Sequence, residues 1–169
     1  MVKTLFASTV LLLCLLLIET TMLSNIPYLP TIPDLQLIAV MYIGLKNGTL
    51  LGESAGFISG IMLDFVSASP PGLNCLVRTA AGALCGVFHR TLNSTGILIP
   101  MLFGLCITAV KILAVNVISF FFPLAQIVLY KFFSLQLISE AALNMVLCPI
   151  MFALLSLFGV LVVKKEDAL

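Results

Sequence analysis

The chain has 169 residues, of which 62% are apolar and 9% charged, with a formal net charge of +1. Mean hydropathy is +1.25. A soluble domain carries about 25% charged residues, and disorder needs low hydrophobicity with high charge, so both classes are excluded. The small net charge offers no bulk attraction for nucleic acid, and a single histidine leaves little for a His-based metal site or triad. What fits is an all-α polytopic membrane protein, a single integral domain over residues 1–169. Length caps it at about seven or eight spans of roughly 20 residues each.

The N-terminus begins Met1-Val2-Lys3 and runs apolar over 5–18. This resembles a signal peptide, but no clear small-x-small cleavage site precedes Asn25, and more apolar runs follow. It reads as a retained first membrane helix, with Lys3 holding the N-terminus in the cytoplasm. Apolar runs cover 5–23, 35–45, 50–66, 73–88, 97–121 and 137–163. Lys3, Lys46, His89 with Arg90, and Lys164 with Lys165 fall at every second break, so six spans with both termini inside satisfy the positive-inside rule. The glycosylation patterns Asn47-Gly48-Thr49 and Asn93-Ser94-Thr95 then face the cytoplasm and are discounted. Cys14, Cys75, Cys85, Cys106 and Cys148 sit in apolar stretches without a C-x-x-C pair, as free cysteines that act as small hydrophobes do.

The second run is short: residues 34–45 as a helix reach only about 18 Å across a hydrocarbon core of about 30 Å. Before it, Pro27, Pro30 and Pro33 recur at the polyproline II period, and Asp34 is a good N-cap. Two readings stand. The crossing is half extended and half helical, or an interfacial loop leads into a short tilted helix. The less apolar stretch 123–136, bracketed by Phe120, Phe121, Phe122, Phe132 and Phe133, suits the outer membrane surface.

The third and fourth runs predict a glycine-lined hairpin over about 49–90. Gly52, Gly56 and Gly60 lie four apart with Asp64 next in the row, and Gly82 and Gly86 lie four apart on the following run. Folding about the Ser69-Pro70-Pro71-Gly72 turn at position 71 sets Gly60 beside Gly82, Gly56 beside Gly86, Asp64 beside Arg78, and Glu53 near His89. Small residues let helices approach closely in lipid, and an intramembrane charge asks for a partner.

Counting about 1.5 Å per residue from the ends of the runs brings Glu19, Asp64, Arg78, Lys111 and Glu140 to one level in the outer leaflet. Asn144 shares a helix face with Glu140. This polar layer has three readings: glue between helices, an interface for a partner's membrane helix, or the lining of a pocket for a polar ligand. Nothing points to catalysis. There is no nucleophile elbow, phosphate loop or HExxH, and the acids are not arranged as a hydrolase pair. The sequence therefore predicts no catalytic, cofactor-binding or metal residues.

The stretch 33–90 resembles the MreD family of bacterial rod shape-determining membrane proteins. The resemblance rests on Pro33-Asp34-Leu35, Lys46-Asn47-Gly48, Gly52, Gly56-Phe57, Gly60, Asp64, Gly72-Leu73-Asn74, Gly82 and Arg90. Elsewhere only length, hydropathy and the break near Pro149 agree. Glu53 and the proline rhythm depart from the pattern. The resemblance implies a six-helix fold similar to the substrate-binding subunits of energy-coupling-factor transporters, in the bacterial inner membrane. It further implies a non-enzymatic scaffold in the cell-wall elongation complex. Its partners would be an MreC-like bitopic protein, an MreB-like actin, a RodA-like polymerase with its transpeptidase, and the lipid bilayer. The alternative is a vitamin transporter's substrate-binding subunit, for which the polar layer would be a ligand site. The absence of tryptophan and the short outer loops weigh against it, and a small channel is a third option.

Overall fold

A computed structural model describes residues 2–21, 33–67, 70–89, 91, 96–121, 135–157, 159 and 163. Within these, the apolar runs form six helices: α1 (Val2–Thr21), α2 (Leu35–Asn47), α3 (Thr49–Val66), α4 (Leu73–Val87), α5 (Leu98–Phe121) and α6 (Leu135–Leu157). Four of them are long and apolar enough to cross a membrane: α1, α3, α5 and residues Leu137–Leu157 of α6. The chain is a membrane protein, and its described residues form helices and their connections. At about 1.5 Å per residue, the 13 residues of α2 and 15 of α4 fall short of a bilayer's hydrocarbon thickness.

The shortness of α2 has local causes at both ends. At its start Asp34 takes the N-cap position and its side chain accepts the Leu37 N–H at 2.9 Å. At its end Gly48 adopts φ +89, which an L side chain rarely enters, and its N–H closes on the Gly44 carbonyl at 2.8 Å. The next residue already begins α3. His89, just past α4, brings its ring Nδ1 to 2.8 Å from the Leu45 carbonyl, an oxygen that the helix end would otherwise leave over.

From Leu37 to Leu45 helix α2 is apolar around its whole circumference, and such a helix belongs in an interior. Every residue from Leu35 to Leu45 is buried, with α1, α3, α4 and α6 packed against it. Helix α1 lies against α2 and α3, while α5 pairs with α6 and touches α4. Two edge-on ring contacts join the α5–α6 pair to the rest: Tyr42 with Phe152 at 5.2 Å and Phe88 with Phe103 at 5.7 Å. The outward faces carry Phe6, Phe57, Phe65, Leu102, Leu113 and Ile150, all exposed, as suits lipid contact. In α6, Pro149 lies inside the helix and removes one backbone hydrogen bond there.

Helices α3 and α4 form the closest pair. An added Cβ would stand 2.5 Å from the Gly82 carbonyl oxygen at Gly52. At Gly56 it would collide with the Arg78 carbonyl, at Gly60 with the Cys75 backbone, at Gly82 with the Gly52 carbonyl, and at Gly86 with Thr49. The register corrects the one expected from the turn. Gly52, not Gly60, faces Gly82; Gly56 faces Arg78 and Thr79; Gly60 faces Asn74 and Cys75. The slip is about two helical turns.

The cause is Asp64. Its carboxylate accepts the N–H groups of Gly72 at 2.9 Å, Asn74 at 3.1 Å and Cys75 at 3.2 Å, together with the Asn74 side-chain amide at 2.9 Å. Asp64 thus caps the start of α4, where unpaired N–H groups and the positive end of the helix dipole favour a carboxylate. The first turn of α4 is therefore held beside the last turns of α3, and α4 lies further back along α3 than a turn folded evenly about 71 would set it. The expected Asp64–Arg78 pair does not form. Arg90, Lys131, Lys164, Lys165, Pro27, Pro30 and the stretch 122–134 lie outside the described residues, as does the extended half suggested for the second crossing.

Candidate functional site

The polar centre of the molecule is built around the first residues of α2. Asp34 is only 4% exposed and meets two cations. The Arg78 guanidinium on α4 lies 2.6 Å from its Oδ1, and the Lys111 ammonium on α5 lies 2.9 Å from its Oδ2. Lys111 also reaches Glu140 Oε1 on α6 at 2.8 Å. Arg78 donates in addition to the side-chain oxygen of Gln36. Its planar fork thereby joins two residues near the α2 N-terminus, geometry that a lysine cannot copy.

Neutral groups complete the arrangement. Asn144 accepts the Asp34 backbone N–H at 3.1 Å and donates to Thr108 Oγ1 at 3.1 Å. Thr108 in turn donates to the Gly104 carbonyl at 2.7 Å. The Gln36 amide donates to the Leu12 carbonyl on α1 at 3.0 Å, and its backbone N–H points to Glu19 Oε2 at 3.4 Å. Five helices therefore meet at one polar cluster: α1, α2, α4, α5 and α6.

The residues singled out in the sequence divide into two groups. The structure brings Arg78, Lys111, Glu140 and Asn144 together, with Glu19 at the margin. It sets Asp64 apart, on the α4 cap. Sequence reasoning missed Asp34 as the hub and Gln36 and Thr108 as members. Asp34 carried a signal, since a carboxylate at the N-cap of an over-short apolar helix must enter the interior with that helix. Gln36 carried one too, as a lone amide in an apolar run. Thr108 carried none.

Buried charges need partners, and leaving one alone is more costly than the pair is beneficial. Here two carboxylates, Asp34 and Glu140, balance two cations, Arg78 and Lys111. The donors and acceptors are used on one another, so the arrangement locks helices in a set order. Among the described residues, no group of three or more His, Cys, Asp or Glu is placed to hold a metal ion.

Fold and cluster together define an all-helical membrane protein whose interior polar groups tie its helices. The particular family follows from comparison with known proteins. The family model for the rod shape-determining protein MreD matches residues 2–158, and the chain belongs to that family. It is thereby a protein of rod-shape determination. No curated protein and no solved structure matches it.

Proposed function

We propose that this chain is a non-enzymatic, multi-pass scaffold of the bacterial inner membrane. It docks the membrane helices of the cell-wall elongation machinery and so helps position peptidoglycan synthesis. The observation that supports this most is the mutual pairing of the cluster. Asp34, Arg78, Lys111 and Glu140 are engaged with each other, which suits a rigid helical body whose outer faces are left for partners. A transporter subunit would instead need polar groups turned toward a ligand.

The partners that suit this reading are those of the rod-shape system: an MreC-like bitopic protein, an MreB-like actin, and a RodA-like polymerase with its transpeptidase. The polar residues Asp64, Arg78, Lys111, Glu140 and Asn144 and the glycines Gly52, Gly56, Gly60, Gly82 and Gly86 serve in this proposal as internal fasteners, with Glu19 at the margin of the cluster. They hold one domain in which the glycine-lined hairpin is the most closely packed part. A likeness to energy-coupling-factor substrate-binding subunits belongs to the same proposal, and superposition of an experimental structure on such a subunit tests it.

The direct experiment is a pull-down of the tagged chain from its native membrane in mild detergent, followed by mass spectrometry. Recovery of wall-synthesis proteins with a bitopic partner is the expected result. Recovery of a transport ATPase pair with its coupling membrane subunit would overturn the proposal and turn attention to the cluster as a ligand site.

A further inference from the structure

The ionic cluster is balanced without Glu19. Asp34 and Glu140 supply two negative charges, and Arg78 and Lys111 supply two positive ones. Glu19 adds a third carboxylate at the same place. It sits in the last turn of α1, beside the start of α2, and among the described residues its hydrogen bond is to the Gln36 N–H at 3.4 Å. That exceeds the usual range of about 2.7–3.2 Å. Among the described residues, the charged groups that face it are Asp34 before α2, Arg78 on α4 and Lys111 on α5. Both cations are already bonded to Asp34.

Glu19 also differs in access. Asp34 and Glu140 are each 4% exposed, whereas Glu19 is only partly buried. Its helix packs on α2 and α3 along one side and leaves Phe6, Val10, Leu13, Leu17 and Ile18 exposed. The end of a roughly 30 Å helix lies near the edge of the hydrocarbon layer. The α2 N-terminus offers about half a unit charge at most, so among the described residues Glu19 is compensated only in part, by cations it shares with Asp34.

We propose that Glu19 receives a lysine or arginine side chain from a partner's membrane helix that packs beside the outer end of α1. The inference deepens the docking reading above and rests on it. A long basic side chain can lay its stem along apolar surface while its charge reaches a carboxylate near the membrane edge. One basic group would bring the charge count to three against three.

The test uses the full chain in its native membrane. A photo-crosslinking residue at Ile18 captures the neighbour, and Glu19→Gln, Glu19→Asp and Glu19→Lys are compared by co-purification and by thermal stability of the isolated chain. Glu19→Gln should lower recovery of the neighbour about tenfold, equivalent to one interhelical polar contact in lipid, with the isolated chain's melting unchanged. Glu19→Asp should keep part of the binding. The crosslinked peptide should hold a Lys or Arg near one end of a membrane helix, and changing that residue to Glu should rescue Glu19→Lys. Unchanged recovery with Glu19→Gln overturns the proposal, because a neutral side chain then suffices. So does a crosslinked helix without a basic residue, or a Glu19→Gln chain that no longer folds alone. If the unaltered chain recovers no partner, it is the docking reading itself that fails.

Discussion

Asp34 is the residue on which the interior most depends, and its removal gives the sharpest test of the cluster. Asp34→Asn keeps a side-chain acceptor for the Leu37 N–H, so the N-cap survives, but it takes from Arg78 the carboxylate it is bonded to and from Lys111 one of two. Removing one member of a buried ion pair costs about 3–5 kcal/mol. The upper part of that range applies here because two cations contact the one carboxylate, at 2.6 and 2.9 Å, and side-chain exposure is 3% for Arg78 and 6% for Asp34. Asp34→Ala also forfeits the cap, worth about another 1 kcal/mol. Against a total stability of about 5–15 kcal/mol, both variants should accumulate poorly and lose a monodisperse peak in mild detergent. The second half of the test is charge balance. Asp34→Asn with Arg78→Gln restores neutrality and leaves Lys111 paired to Glu140 at 2.8 Å. That double variant should melt above Asp34→Asn alone when followed by fluorescence-detected size exclusion after heating. Wild-type melting for Asp34→Asn, or simple addition of the two single losses in the double variant, would refute the reasoning.

Three further outcomes follow from the same geometry. Asp64→Ala should lower melting by less than Asp34→Ala, since it removes a helix cap worth about 0.5–2 kcal/mol and strands no cation; combined with Arg78→Gln its effect should be additive, which a double-mutant cycle measures. Gly56→Ala should destabilise by about 1–3 kcal/mol or more, because the new Cβ meets the Arg78 carbonyl, and a thermal shift against Gly96→Ala, where a Cβ meets nothing, isolates the packing effect. His89→Ala should cost about 1 kcal/mol through the lost bond to the Leu45 carbonyl, and amide hydrogen exchange should rise at the end of α2.

The sequence made some of this legible and hid the rest for identifiable reasons. Helical segments could be read because lipid demands long apolar runs, and Gly48 and Asp34 mark the ends of α2 by local chemistry that needs no tertiary information. Depth counting brought Arg78, Lys111 and Glu140 to one level, because those helices run through the interior without a break. It failed for Asp34, whose place at the head of a short helix looks like a loop until that helix is seen to be enclosed by its neighbours. The hairpin register failed for a different reason. Glycines spaced by four fit a partner in several registers one turn apart, so the glycine row alone cannot choose. Matching acid to base chose wrongly, because a carboxylate near the end of α3 finds N–H donors on α4 sooner than it finds Arg78. A helix N-terminus competes well for an acid, and that competitor carries no letter in the sequence.

These two uses of aspartate explain how the fold is specified where apolar burial discriminates little. In a bilayer the lipid tails solvate a leucine as well as another helix does, so close packing and polar pairing must select the neighbours. The molecule separates the two tasks. Glycines set α3 and α4 at backbone contact, and Asp64 fixes how far one has slid along the other. That slide places the Arg78 carbonyl against Gly56 and sends the Arg78 side chain toward α2, where Asp34 and Gln36 receive it. Asp34 then recruits Lys111, and Lys111 brings Glu140. The α5–α6 pair is thereby oriented by charge from a hairpin whose register was set by a helix cap. A shift of α4 by one turn, about 5.4 Å, would carry Arg78 out of reach of Asp34 and leave the cluster with an unpaired cation. The Asp64 cap and the Asp34 cluster therefore select the same register independently, and this agreement gives the bundle one arrangement rather than several of similar energy.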